Sequence, residues 1–350
     1  MNNFWQYLAV FWPLGYVYGQ LASFKQNLSL KKQTKLPVPV LSVGNISVGG
    51  TGKTPLVLYL AQNLAQKYCT VILTRGYRAK PPGYPFLIQP NSVPLDPKIC
   101  GDEPLLLAKE SQAKVIIDPD RLRGADFALK QVNAEVLILE DGFGQTRIKK
   151  NLDLVLFSLR DICLWNRPLP AGPWRESASS LSRADLFLIN LEGKDKTFWQ
   201  KKVQTKLAGF NKPVLFFNYL PYTLISSQDR TPLLRKPQKY GLITSMANPQ
   251  RLVHLLTNFL GKPPIVHLAY PDHYHFEDKD KQKIMALSQQ KIPLLCTLKE
   301  VDKVTKLLPE QEFFIIKSQI VFSSKQEEDF FWQIIGEIIY EEKNTSQRRS

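Results

Sequence analysis

Cysteine and histidine are scarce in this 350-residue chain, at four residues each. The cysteines, Cys69, Cys100, Cys163 and Cys296, stand far apart with no CxxC pair. That spacing excludes a disulfide scaffold and a cysteine zinc site, and it fits a reducing compartment. So few histidines leave little material for a histidine-rich metal centre. Acidic residues are in deficit, 31 against 46 Lys plus Arg, so the formal net charge is +15. Such a field attracts anions, whether nucleic acid, an acidic membrane surface or phosphorylated small molecules, without choosing among them. Wholesale disorder is excluded by a composition that is 44% hydrophobic and 22% charged. At roughly 100–200 residues per domain, the length allows one large domain or two ordinary ones.

Charge is also missing from Phe4–Phe24, which contains no Asp, Glu, Lys, Arg or His. As a helix this stretch would be about 31 Å long, close to the thickness of a bilayer core. Its glutamines, proline, glycines and many aromatics keep it from being an unambiguous spanning segment, since Trp and Tyr prefer the headgroup level. Lys25, Lys31, Lys32 and Lys35 follow it, and positive charge there holds that end on the cytoplasmic side. The start carries no Lys or Arg, which argues against a cleaved signal peptide. The segment is therefore expected to associate with a membrane, by lying in the interface or by spanning once. The plainer alternative is a helix packed on the protein's own core.

Short apolar runs read as buried strands at Val38–Val43, Val71–Thr74, Val115–Ile117, Val136–Leu139, Leu154–Phe157, Leu186–Ile189 and Val214–Phe217. Helix-like periodicity separates several of them, as in Thr54–Tyr68 and Glu103–Glu110. Alternation of this kind implies an α/β fold with a mostly parallel sheet and helices on both faces. The pattern restarts after about Tyr219, with strands near Tyr240–Thr244, Ile265–Leu268, Leu294–Thr297 and Phe314–Ile316 and helices near Pro249–Leu260, Lys279–Gln289 and Asp329–Tyr340. The expected organisation is an N-terminal helix over 1–35, a P-loop domain over 36–218, a smaller α/β domain over 219–340 and a frayed tail over 341–350. The proline-rich stretch Arg75–Pro97 is expected to be a mobile loop or ribbon.

The strongest local signal runs from Val38 to Thr54, where an apolar strand enters a glycine-rich turn that ends in Gly52-Lys53-Thr54 and opens an apolar-periodic helix. This is the context a P-loop needs. Ser47, Val48, Gly49, Gly50, Thr51 and Gly52 would wrap phosphate with backbone N–H groups, helped by the helix N-terminus. Lys53 would reach the β- and γ-phosphates, and the Thr54 hydroxyl would ligate Mg²⁺. Ser47 replaces the first glycine of the usual pattern, while Pro55 is tolerated near a helix start, where its missing N–H is not needed.

Such a loop wants a carboxylate at the end of a neighbouring strand, and Val136–Leu139 runs directly into Glu140 and Asp141. Asp102 and Glu103 form a second acidic turn, in which Asp102 alone would read as a helix N-cap. His273 and His275 make the only histidine cluster; it lacks partners for a zinc site but suits proton handling.

Several segments together resemble one family, the lipid A 4′-kinases (tetraacyldisaccharide 4′-kinases). They are Ser42–Pro55, Thr74–Tyr77, Gly101–Pro104, Asp118–Arg121, Glu140–Phe143, Pro170–Glu176, Arg183–Asp185, Pro271–Phe276 and Thr297–Glu300, in the family's order. The family also has Ser or Thr where Ser47 stands. The chain departs from it at Glu140, where an Asp is usual, and at Gly144 and Gln145, which replace Gln and His.

The resemblance implies transfer of the γ-phosphate of ATP to the 4′-hydroxyl of a tetraacyl glucosamine disaccharide 1-phosphate, a late step of lipid A biosynthesis. It implies ATP and Mg²⁺ as cofactors and Thr54, Glu140, Asp141 and Glu103 around the metal. It places Asp102 as general base, His273 beside it as its orienting partner, and Lys53 as the catalytic cation. Arg121, Arg175 and Glu176 become candidates for substrate contacts. Asp102 falls in the first domain and His273 in the second, so closure of the two on substrate is expected. The enzyme would work at the cytoplasmic face of the inner membrane of a Gram-negative-type bacterium, with the acylated lipid and the membrane surface as partners, without nucleic acid or an obligate protein partner. Two rivals are a P-loop kinase or ligase acting on a soluble metabolite and a non-catalytic membrane-bound ATP-binding protein. A nucleic-acid-dependent ATPase is a third, disfavoured because the basic residues are dispersed.

Overall fold

The computed structural model describes residues 12–90 and 96–347. Residues 4–11 of the apolar N-terminal stretch, 91–95 of the proline-rich stretch and 348–350 of the tail lie outside the described residues. The chain divides into two compact units, one formed by residues through Asn218 together with those from Val321 onward, the other by Tyr219–Ile320.

In the first unit, seven strands follow one another as β1 (Val40–Asn45), β2 (Thr70–Thr74), β3 (Phe86–Ile88), β4 (Lys114–Ile117), β5 (Val136–Glu140), β6 (Leu152–Ser158) and β7 (Leu186–Asn190). β8 (Val214–Ser226) starts in this unit and continues into the second. The spatial order is β8-β7-β6-β1-β5-β2-β4-β3. Pairing is parallel except for β3, which runs antiparallel to β4. The near-continuous apolar runs read from the sequence are what a sheet buried on both faces requires. Every residue of β1, β2, β5, β6 and β7 is buried. β1 is central, with β5 on one side and β6 on the other, so the strand order reverses there. In open α/β sheets the crevice outside the carboxyl ends at such a reversal is where ligands bind. Parallel register sets Val43 against Glu140, which brings the end of β5 beside the turn that leaves β1.

Helices α1 (Trp12–Leu30), α2 (Lys53–Leu64), α3 (Pro97–Cys100), α4 (Asp102–Ser111), α5 (Arg121–Val132), α6 (Leu159–Cys163) and α7 (Lys196–Leu207) complete this part of the chain. The second unit carries β9 (Gly241–Ser245), β10 (Val266–Tyr270), β11 (Leu294–Thr297) and the start of β12 (Phe314–Phe322), in the order β10-β9-β11-β12 with parallel pairing. Its helices are α8 (Pro249–Leu260), α9 (Asp278–Ser288) and α10 (Val301–Leu307). Leu242, Leu256, Ile284, Leu294 and Val304 are among its buried residues.

The last helix, α11 (Lys325–Gln347), corrects two expectations. Residues 321–340 fall in the first unit, not the second, because Phe331 is buried beside Phe322 and the Tyr59 hydroxyl lies between Trp332 Nε1 (3.0 Å) and Glu328 Oε1 (2.8 Å). The tail from Glu341 is helical to Gln347, held by Asn151 (2.9 Å) and Lys35 (2.8 Å) on Glu342 and by Lys343 on Glu135 (2.8 Å). The proline-rich stretch also contains β3 and the start of α3.

α1 rests on its own protein through Gly15 and Gly19: a Cβ at Gly15 would meet the Pro168 carbonyl oxygen at 2.8 Å, and one at Gly19 the Pro168 ring at 3.0 Å. Leu14, Tyr16, Val17, Tyr18 and Leu21 are left 45–64% exposed. Among the described residues no helix is long and apolar enough to cross a membrane.

Close approach of β1 to the turn after β5 depends on Gly44, where an added Cβ would sit 2.4 Å from the Phe143 amide nitrogen. Gly44→Ala should therefore cost about 1–3 kcal/mol by overpacking. Urea unfolding checks this: the midpoint should fall while the slope is kept.

Candidate active site

The turn after β1 is braced from outside by the segment Pro170–Glu176. Arg175 N donates to the Ile46 carbonyl (2.7 Å), Val48 N donates to the Pro173 carbonyl (2.8 Å), and Ser47 forms a β-bridge with Trp174. Arg160 Nη2 donates to the Val48 carbonyl at 2.6 Å. Ser47 is buried and does not adopt a left-handed backbone, so no glycine is required where the usual P-loop has one. Glycine is required at Gly49 (φ 110°) and Gly52 (φ 102°), which lie where L side chains are strained. A Cβ on Gly52 would also stand 3.0 Å from Asn190 Nδ2, which donates to the Thr51 carbonyl at 3.3 Å. The loop is thus fixed at both shoulders, while Gly49 and Gly50 stay exposed.

α2 begins at Lys53 with Gly52 as its N-cap and no side chain capping it. The first amide to enter the helix ladder is Leu56 N, on the Gly52 carbonyl (3.2 Å). A helix start of this kind turns its leading N–H groups and the positive end of its dipole to an incoming anion. Pro55 falls inside that first turn, where an N–H is dispensable.

Across from the loop, Asp141 follows β5 with a left-handed backbone (φ 52°). Arg175 donates to both of its oxygens, each at 2.9 Å, and Lys53 Nζ lies 3.6 Å away. Burial alone would raise the Asp141 pKa, but the Arg175 hydrogen bonds and the Lys53 charge hold the carboxyl well below the usual carboxylate range. Its neighbour Glu140 is buried, with Oε2 accepting from Thr74 Oγ1 at 2.9 Å. Burial, then the charges of Glu103 and Asp141, push the Glu140 pKa up. Arg121, first residue of α5, donates to the Asp118 carbonyl (2.6 Å) and the Glu140 carbonyl (3.3 Å). Burial lowers its guanidinium to about 10 against the pull of Glu140.

Lys53, with Thr54 next to it at the start of α2, lies 3.6 Å from Asp141 at the carboxyl end of β5, and the Glu103 charge acts on Glu140. Repulsion among three carboxylates is chemistry that a divalent cation relieves. Among the described residues, however, no three acidic, histidine or cysteine side chains already form a metal cage. The carboxylates of Asp141 and Glu140 have the donor chemistry Mg²⁺ takes, which is one or two carboxylates with phosphate oxygens and waters supplying the rest.

Asp102 opens α4 as its first residue, with Gly101 (φ 79°) at the N-cap position. His273 belongs to the second unit, with a left-handed backbone (φ 58°), its Nε2 3.4 Å from Lys299 Nζ and 3.8 Å from Asp272 Oδ2. Lys299 Nζ also donates to Asp272 Oδ1 (2.7 Å).

Two residues expected at the substrate have partners within the protein. Glu176 is buried against Arg183 at 2.6 Å, and the Arg183 guanidinium lies 4.5 Å from the centre of the Phe143 ring. Arg175 pairs with Asp141 and Asn45. Asn45 was missed by the sequence argument: its Oδ1 accepts from Lys53 Nζ (2.9 Å) and Arg175 Nη2 (2.6 Å). Asn190 and Arg160 were missed as well, for they come from β7 and α6, far along the chain from the loop they hold. A polar residue ending an otherwise apolar strand was the one available signal, at Asn45 and again at Asn190.

A parallel α/β sheet, a glycine loop delivering Lys53 and Thr54 to a helix start, and an acidic strand end facing them define a P-loop nucleotide-binding enzyme. The match to the family model described as LpxK, tetraacyldisaccharide-1-P 4′-kinase, extends over residues 7–338. This chain belongs to that family. A tetraacyldisaccharide 4′-kinase of Oleidesulfovibrio alaskensis is 36% identical over 273 residues, 77% of this chain and 75% of that protein. One from Haemophilus influenzae is 29% identical over 322 residues, covering 91% and 90%. Among solved structures, LpxK from Aquifex aeolicus in complex with ATP is similar with a TM-score of 0.75 and 27% identity, over 95% of this chain and 99% of that one.

If Glu176 serves packing and not substrate, Glu176→Ala should destabilise by about 3 kcal/mol, since it strands a buried guanidinium. Thermal melting should show that loss. The KM for acceptor, measured on folded protein, should stay within twofold of wild type; a large rise would return Glu176 to the substrate.

Proposed function

We propose that this protein transfers the γ-phosphate of ATP to the 4′-hydroxyl of a tetraacyl glucosamine disaccharide 1-phosphate held at the inner leaflet of a bacterial inner membrane. The observation that carries the reading is the charge arrangement at the loop: Lys53 and Thr54 at an open helix start, facing Asp141 across a shared cluster. Phosphoryl transfer needs positioning and charge neutralisation more than covalent help. The loop from Ser47 to Gly52 would hold the triphosphate with backbone donors, and Lys53 would neutralise charge on the β- and γ-phosphates. Thr54, Asp141 and Glu140, with Glu103 behind them, would hold Mg²⁺, whose charge offsets that on the phosphate oxygens. Asp102 would take the proton of the acceptor hydroxyl and His273 would orient it. Those two roles rest on the family resemblance of Gly101–Pro104 and Pro271–Phe276. Arg121, which hydrogen-bonds the Glu140 carbonyl at the acidic strand end, and Arg175 are the candidates for contact with transferred or acceptor phosphate.

The acceptor's acyl chains keep it in the bilayer, each buried CH₂ being worth roughly 0.8 kcal/mol. The exposed apolar residues of α1 suit an enzyme that lies on the interface, with Lys31 and Lys32 following them toward anionic headgroups.

Incubation with γ-labelled ATP, Mg²⁺ and the lipid disaccharide 1-phosphate in detergent should move label into the lipid. Label appearing only in a water-soluble acceptor would favour the soluble-metabolite kinase instead. Lys53→Ala should lower kcat/KM by about 10²-fold or more, the scale for losing one preorganised charge contact. His273→Ala should lower kcat by about 10²-fold while ATP affinity is kept. Changing Leu14, Val17 and Leu21 together to Glu should release the protein from anionic vesicles in flotation without altering ATP binding; full retention would remove α1 from membrane docking.

A further inference from the structure

Lys53 and Arg175 converge on one atom. The Oδ1 of Asn45 accepts from Lys53 Nζ at 2.9 Å and from Arg175 Nη2 at 2.6 Å, and the Asn45 main-chain carbonyl accepts from the same Nη2 at 2.8 Å. Asn45 Nδ2 donates to the Ser47 carbonyl at 2.8 Å. The orientation of the carboxamide is therefore determined, because both cations only donate and the Ser47 carbonyl only accepts. Asn45 is 1% exposed, at the last position of β1, so its place is set by the central strand and not by the loop. One side chain thus ties together the phosphate lysine, the arginine that clasps Asp141, and the turn at Ser47.

We propose that Asn45 is a positioning residue for phosphoryl transfer: its carboxamide oxygen holds Lys53 and Arg175 at the loop and yields both to the triphosphate. The proposal rests on the loop being the ATP site. The choice of side chain follows from charge. A carboxamide oxygen offers two lone pairs, one for each cation, and carries no net charge to compete with phosphate. A carboxylate in the same place would make charge-assisted bonds to both, about twice as strong as neutral ones, and would retain them against the nucleotide. An alanine would remove the neutral acceptor that aims both cations at the loop. It would leave Lys53 to Asp141, and Arg175 to Asp141 and the main-chain carbonyl at position 45, with no competing charge added against phosphate. Asn45 acts through Lys53 and Arg175 and is not itself a catalytic residue.

The test is a pair of substitutions read three ways: ATP affinity by titration calorimetry, KM and kcat for ATP with the lipid acceptor, and thermal melting. Asn45→Asp should raise the Kd and KM for ATP tenfold or more. Asn45→Ala should leave KM for ATP within threefold and lower kcat tenfold or more. A packing role alone would lower melting temperature and the active fraction in both variants, with KM unmoved in either. Equal KM in the two variants, with activity tracking the folded fraction, overturns the proposal; so does wild-type kcat in Asn45→Ala. If the wild-type protein itself shows no ATP affinity, the functional reading fails together with this one, whereas normal wild-type binding with unresponsive variants defeats this one alone.

Discussion

The site depends on the charge balance around Asp141. A carboxylate placed by the end of β5 meets two cations placed by other elements: Lys53 from the start of α2 and Arg175 from the segment that braces the loop. Each of these groups would be costly to bury alone, and the two cations hold the Asp141 carboxyl ionised. The same cluster sets the loop's shape, because Arg175 also reaches Asn45 and its amide holds the Ile46 carbonyl. A loop that needs left-handed glycines at Gly49 and Gly52 costs conformational entropy to order. The bracing strand, the Arg160 and Asn190 hydrogen bonds and the Asp141 cluster offset that cost before any nucleotide arrives. The loop thus exposes backbone at Gly49 and Gly50, with Lys53, Arg175, Asp141 and Glu140 at the strand ends, an arrangement that suits a triphosphate accompanied by a divalent cation.

Much of this was legible in the sequence. Apolar runs marked β1, β2, β4 to β7 and β11 because strands buried on both faces have no polar alternation to obscure them. The loop was legible because glycine spacing, lysine and threonine must follow in direct succession for the chemistry to work. Two strands were longer than expected: β8 continues to Ser226 and β12 to Phe322. Their later residues include Asn218, Thr223, Lys317 and Ser318, half-buried, and Gln319, exposed, where polarity breaks an apolar run without ending the strand. The tail misled for the opposite reason. Glu342 and Lys343 look like solvent residues, but their partners are Lys35, Asn151 and Glu135, all distant in sequence.

Site roles followed the same division. Spacing alone anticipated that Lys53 and Asp141, each adjacent in sequence to a motif, would lie near each other. Residues whose role is set by a tertiary contact were not. Arg175 and Glu176 are neighbours in a motif-like segment, yet one faces the loop and clasps Asp141 while the other turns into the core against Arg183. Alternation along an extended segment sends successive side chains to opposite sides, and the sequence does not say which side holds the ligand. Gly144, a departure from the family pattern, is exposed, and a Cβ there would lie 3.6 Å from Glu176 Oε1, so nothing in the packing demands a larger residue.

A crystal structure of the protein with Mg²⁺ and a non-hydrolysable ATP analogue tests the central claim most directly. The account expects the triphosphate against Gly49–Gly52, Lys53 and Arg175 on phosphate oxygens, and the cation between Thr54, Asp141 and the phosphates. Nucleotide bound elsewhere, or bound here with Lys53 and Arg175 still fastened to Asn45 and Asp141, would contradict it.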